Sequence, residues 1–200
     1  MILIEQTPVP THALPVQALK NHLRLGTGFA DDGMQDGLIE SYLRAAMAAI
    51  EGRIGKALIA RGFLCRLEDW RAGGEQALPV APVYSILSVT LADRYGTPEV
   101  VPPAMYRLVQ DMHRPKVQAA GFMLPQVPMG GQVEIAFVAG FGPAWGDVPT
   151  DLAQAVLMLS AEYYERRHDG GQRKDEGLPF GVVTLIERWR TVRVLGGGGA

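Results

Sequence analysis

The spacing of apolar residues changes period along the chain, and each change marks an element. In "PVQALKNHLRLG", Val16, Leu19 and Leu23 share one helical face, with Pro15 suited to a first helical position and Gly26 to a stop. After a loop rich in Gly and Asp, "DGLIESYLRAAMAAIEGRIGKALIARG" repeats Ile39, Leu43, Ala46, Ile50, Ile54 and Ala57 at steps of three and four. That pattern predicts a long helix from an N-cap at Asp36 to Arg61, ended by Gly62. From Phe63 the period falls to two. "FLCRLEDW" sets Phe63, Cys65 and Leu67 on one face, "SILSVTLAD" does the same for Leu87, Val89 and Leu91, and "QVEIAFVAG" for Val133, Ile135, Phe137 and Ala139. "YRLVQDM" is a further short strand candidate, while Pro79 and Pro82 make "LPVAPVYS" an edge or an extended connection. The helical period returns after Pro149 with Leu152, Val156, Leu159 and Tyr163, and Asp151 lies near the positive end of that helix dipole. A polar loop, "RRHDGGQRKDEG", precedes a last helical segment, "FGVVTLIERWRTVRV". Strands grouped between helix pairs, with no strand-helix-strand alternation, predict an α+β fold with a small, mostly antiparallel sheet.

The 200 residues, 48% of them hydrophobic and 20% charged, are enough for one domain with a core. A net charge of -2 gives no overall reason for nucleic-acid affinity, so any basic surface must be local. The single cysteine, Cys65, excludes an intramolecular disulfide and a multi-cysteine zinc site, and its place between Phe63 and Leu67 predicts a buried thiol. "MILIEQTPVP" has no basic leader region, and the longest apolar run, near Val156 to Ala161, is too short to span a bilayer, so a soluble cytosolic chain without a membrane partner is expected.

Candidate chemistry is thin. A phosphate cradle needs glycines directly before a helix, but Gly140, Gly142 and Gly146 are followed by Val148 and Pro149, and proline removes a donor. A structural turn is the expectation. Glu165 and His168 have the Glu-x-x-His spacing of di-iron bundles, but in one copy where two are needed. His12, His22 and His113 lie in separate segments, and Glu68 and Asp69 point to opposite strand faces. No catalytic, cofactor-binding or metal residue is therefore assigned, and no cofactor is expected. The last segment stands out because Arg188, Arg190 and Arg193 face a single acid, Glu187, beside Trp189. It is either a fourth amphipathic helix packed on the domain or a docking element, since Trp and Arg are enriched in interface hot spots.

Five segments in order, "LPVQALKNHLRL", "LIESYLRAAMAAIEGRIGKALI", "LPVAPVYSILSVTLAD", "VEIAFVAGFG" and "VPTDLAQAVLMLSAEYYERR", cover most of residues 14–167. In these the chain resembles the head-tail connector, or adaptor, proteins of long-tailed phages and gene transfer agents. The resemblance implies a non-catalytic virion protein, assembled in the bacterial cytoplasm into a closed ring of about twelve copies under the portal. It also implies that the ring extends the DNA channel, lets double-stranded DNA pass without sequence-specific binding, and presents a platform to a stopper or tail-completion protein. The implied fold is predominantly α-helical: two N-terminal helices, a β-rich insertion at about 63–140, a long third helix and a C-terminal helical segment. Residues 1–170 then form a single connector domain and 171–200 a flexible loop with a docking segment. Portal docking falls to Phe180, Ile186, Arg188, Trp189, Arg190 and Arg193. Ala45 and Ala48 are the candidates for the contact between subunits, with Ala46 in the core. A DNA-binding packaging accessory and a small enzyme remain as alternatives.

Overall fold

The computed structural model describes residues 1–24, 35–168 and 177–190. They form two compact units: strands in Met1–Leu14 with Lys56–Pro149, and helices in Pro15–Gly55 with Thr150 onward.

The strand unit contains β1 (Ile2–Glu5), β2 (Arg61–Leu67), β3 (Glu75–Ala77), β4 (Val83–Ala92), β5 (Pro98–Val100), β6 (Tyr106–Val109), β7 (Lys116–Ala119) and β8 (Gln132–Ala139). One sheet runs β1-β2-β8-β4-β5 and the other β3-β7-β6, with every pairing antiparallel. The alternation in β2 and β8 has a direct structural result. Phe63 pairs with Phe137, Cys65 with Ile135 and Leu67 with Val133, so the apolar faces of both strands fall on one side. The two phenyl rings stack with centroids 5.8 Å apart. Each such side chain contributes about 1.5–3 kcal/mol by leaving water. Val117, Ala119, Leu78, Leu124 and Val127 join the same core from the smaller sheet and its loops.

Strand β4 departs from its expected face. Its register on β8 slips between Val83 and Ser85 and again between Ile86 and Ser88, which leaves Tyr84 and Leu87 exposed. A bulge adds one residue and so reverses the alternation beyond it. Ile86, not Leu87, therefore lies opposite Phe137, while Val89 and Leu91 are buried as expected.

The glycine-rich segment after β8 is a close backbone crossing. Gly140 has φ 138°, and a Cβ there would lie 2.4 Å from the backbone of Ala60. Beside it Ile59 and Gly142 form a parallel bridge, and the Ala60 N–H donates to the Gly142 carbonyl. The Asp147 carboxylate accepts the Ala144 N–H at 2.9 Å, so an acid already occupies the turn.

The helical unit contains α1 (Val16–His22), α2 (Asp36–Ile54), α3 (Thr150–Glu165) and α4 (Phe180–Ile186). Helix α2 packs on α3, α3 on α4, and α1 on both α2 and α3. Ile39, Leu43, Ala46, Ile50 and Ile54 of the long stripe are all buried. The helix stops earlier than its pattern predicts. Gly55 takes the left-handed conformation, φ 68°, and its N–H closes on the Glu51 carbonyl at 2.8 Å, so Ala57 lies beyond the helix. On α3 the buried tyrosine is Tyr164 rather than Tyr163. It meets Tyr42 edge to face at 6.1 Å, and its hydroxyl donates to Gln35.

The expectation of a predominantly helical fold is corrected. Among the described residues there are four α-helices and eight strands, with 37% helical and 28% strand. Helix is lost where Gly55 ends α2 before the apolar stripe does, and α4 has only 7 residues. Strand is gained in β1, β3, β5 and β7, each of 3 or 4 residues, too short to show a period.

Lys56, the first residue of the strand segment after α2, is buried. Its ammonium donates to the Met112 carbonyl and lies 3.2 Å from His113 Nδ1. Burial lowers its pKa from the ordinary 10.5, and nearby Asp111 opposes that shift only in part.

Two measurements check these assignments. Gly140→Ala should lower the unfolding free energy in urea by on the order of 3 kcal/mol. Gly146→Ala, where a Cβ meets nothing within 4 Å, should be nearly neutral. Because folded Lys56 binds its proton less tightly than the unfolded chain does, its contribution to stability should rise as pH increases from its lowered pKa towards 10.5. Stability curves against pH for the wild type and Lys56→Met should differ in that window, and parallel curves would remove the assignment.

Candidate docking site

Helix α4 is held to α3 by an apolar face and a polar clamp at its end. Pro179 precedes the helix with extended backbone, and its carbonyl accepts the Val183 N–H. Val182 and Ile186, four residues apart on one face, are both fully buried. A 3-10 turn, Glu187–Trp189, then brings two donors to one carboxylate in the first turn of α3. Trp189 Nε1–H donates to Asp151 Oδ2 at 2.7 Å, and Arg188 Nε reaches the same oxygen at 2.7 Å. The other oxygen, Oδ1, accepts the Leu152 N–H at 3.0 Å. Asp151 therefore joins the positive end of α3 to the end of α4, and the charge-assisted bonds suit a partly buried carboxylate. The Arg188 guanidinium also lies 4.8 Å from the Trp189 ring centre.

The six docking candidates separate on this scaffold. Ile186 is buried and Trp189 is half-buried and clamped, whereas Phe180 is 87% exposed and Arg188 is exposed. Arg190 pairs with Glu187 at 3.1 Å. Arg193 lies outside the described residues. Phe180 borders a groove of about 720 Å3 whose walls include Met158, Leu178, Val183, Glu162 and Glu165. An aromatic ring beside such a groove offers a partner both a knob and a hole. On α2, Ala45 and Ala48 are exposed while Ala46 is buried, so the small residues divide between an outer face and the core. Nothing in the spacing of the sequence pairs Asp151 with Trp189, 38 positions away, and its role in the clamp emerges only in the fold.

Cys65 is fully buried, and burial pushes its thiol pKa up, away from the reactive thiolate. Among the described residues no group of three or more His, Cys, Asp or Glu is arranged to hold a metal, and no helix is long and apolar enough to cross a membrane. The side chain of His168 lies outside those described.

Asp151→Ala should cost about 1 kcal/mol. Hydrogen exchange should quicken chiefly in Phe180–Trp189, and protection unchanged there would show that the clamp does not hold α4.

No protein-family model and no curated protein matches the chain. Solved structures do. A chain in the neck of an empty gene transfer agent particle, computed with C6 symmetry, is 57% identical with a TM-score of 0.89, covering 98% of this chain and 99% of that one. A chain in the virion of the native gene transfer agent particle is also 57% identical, with a TM-score of 0.86 and the same coverage. A chain in the native neck, computed with C12 symmetry, is 53% identical with a TM-score of 0.84, again over 98% and 99%. Identity at this level over nearly the whole of both chains extends to both units, and it places this protein in the phage-like particle. The chain belongs to a family of structural proteins of gene transfer agent particles.

Proposed function

We propose that the chain is a head-tail connector, or adaptor, that forms a closed ring beneath the portal, extends the DNA channel and presents a platform to a stopper or tail-completion protein. The observation that carries this reading is the nearly full-length likeness to chains from necks computed with C6 and C12 symmetry. Such symmetry implies many copies, and about twelve is the number we adopt. The role is structural and non-catalytic, in keeping with the buried thiol of Cys65. A net charge of -2 suits a channel that passes DNA without gripping it, because strong phosphate neutralisation would retard the duplex.

Portal docking is assigned to the outward side of α4 and its following turn, through Phe180, Arg188 and Arg190. Trp189 and Ile186 support that surface from beneath. Ala45 and Ala48 let a neighbouring subunit approach α2 closely. Full removal of residues 178–200 would also remove buried Val182 and Ile186, so point substitutions are the sharper probe.

Mixing the purified chain with portal rings should yield a complex visible by negative stain and native mass. A folded chain that leaves the portal bare would overturn the connector reading. Phe180→Asp combined with Arg190→Ala should weaken attachment about tenfold, or 1.4 kcal/mol, with unchanged circular dichroism. Unchanged attachment would move the docking surface elsewhere.

A further inference from the structure

The larger sheet has two edges of different character, and both carry apolar side chains in water. On one side, β1 is the edge strand, antiparallel to β2 through Ile2–Arg66, Leu3–Cys65 and Ile4–Leu64. Ile2 is 58% exposed, and Leu3 and Ile4 are also exposed. Natural edge strands are usually blunted by proline, lysine or an inward charge. Here Ile-Leu-Ile has none of these, and the one acid, Glu5, is drawn to Arg61 at 3.0 Å. On the other side, β5 covers β4 only over Thr90–Ala92 and brings Pro98 and Glu99, which blunt that portion. The rest of β4 carries the two bulges, with Tyr84 74% and Leu87 60% exposed. Beside Tyr84 lies a groove of about 370 Å3, lined by Pro82, Val83, Met112 and Phe141.

A closed ring needs two different surfaces on each subunit, one fitting the other on the next copy. The β1 and β4 edges meet that need. They sit on opposite flanks of one sheet, three strand spacings or about 14 Å apart, so one copy's edges cannot meet each other. Pairing β1 with a second β1 would close a dimer and leave the β4 edge unused. We infer that the β1 strand of one copy docks against the bulged β4 edge of the next, with Ile2, Leu3 and Ile4 against Tyr84, Leu87 and the groove beside them. The occupant is a second copy of this chain. The inference rests on the ring reading, and it adds a second contact between subunits to the one proposed at Ala45 and Ala48: bulges that spoil β4 as a strand create the receiving surface.

Cysteine cross-linking tests it, because the native thiol is buried and the substituted positions are not. Leu3→Cys, Tyr84→Cys and the double variant are introduced into the full chain and oxidised mildly, both isolated and within particles. The double variant should give a ladder of covalent multimers, and each single variant should stay monomeric on denaturing gels. Dimers from Leu3→Cys alone would overturn the inference in favour of a symmetric edge contact. No ladder from a double variant whose rings are intact by negative stain would overturn it and leave the ring reading standing. If the wild type forms no ring in either setting, the ring reading fails and the inference with it. Ile2→Lys with Ile4→Lys provides the second arm: melting should be unchanged and rings lost, and persistent rings would refute the seam.

Discussion

Strand β8 is the constraint on which the rest of the strand unit depends. It is bonded along both sides, to β2 and to β4, and every second residue from Val133 to Ala139 is fully buried. A slip of one residue would turn that whole row to the opposite face, so the burial of these side chains fixes the pairing register. Fixing β8 fixes β2, and β2 positions β1 at the rim. On its other flank, β4 satisfies the same core with Val89 and Leu91 only by bulging at Tyr84 and Leu87. The two edges thus follow from one buried face.

The helical unit answers to a similar economy of contacts. Its core is a stripe on α2 and another on α3, and α4 adds only Val182 and Ile186. A helix of two turns cannot hold itself together in water, so it depends on packing and on the Asp151 clamp. The same carboxylate that suits the start of α3 captures Trp189 and Arg188, and this leaves Phe180 pointing outward. An element held by few contacts at one end and exposing an aromatic ring at the other is well suited to carry a docking surface in an assembly.

The long, regular elements were legible in the chain. The faces of β2 and β8 and the stripe of α2 as far as Ile54 match the pattern residue by residue, because each buries one face along its whole length. The glycine-rich turn was also legible as structural, since Pro149 denies it the donors of an anion site. The strand content was not, because β3, β5 and β7 have 3 or 4 residues and take their places only by pairing with distant partners. For the surface we propose for docking, the arginines and the tryptophan were visible as unusual, but not which of them face outward.

The sequence by itself therefore determined which stretches carry a continuous apolar face and where glycine and proline interrupt them, both of which are local properties. Only the tertiary structure decided that α2 ends at Gly55, that β4 bulges twice, that Ile2–Glu5 forms an edge strand, and that Asp151 holds Trp189. Those choices are settled by competition among distant segments for one buried face and one carboxylate, and no local pattern of residues records who wins.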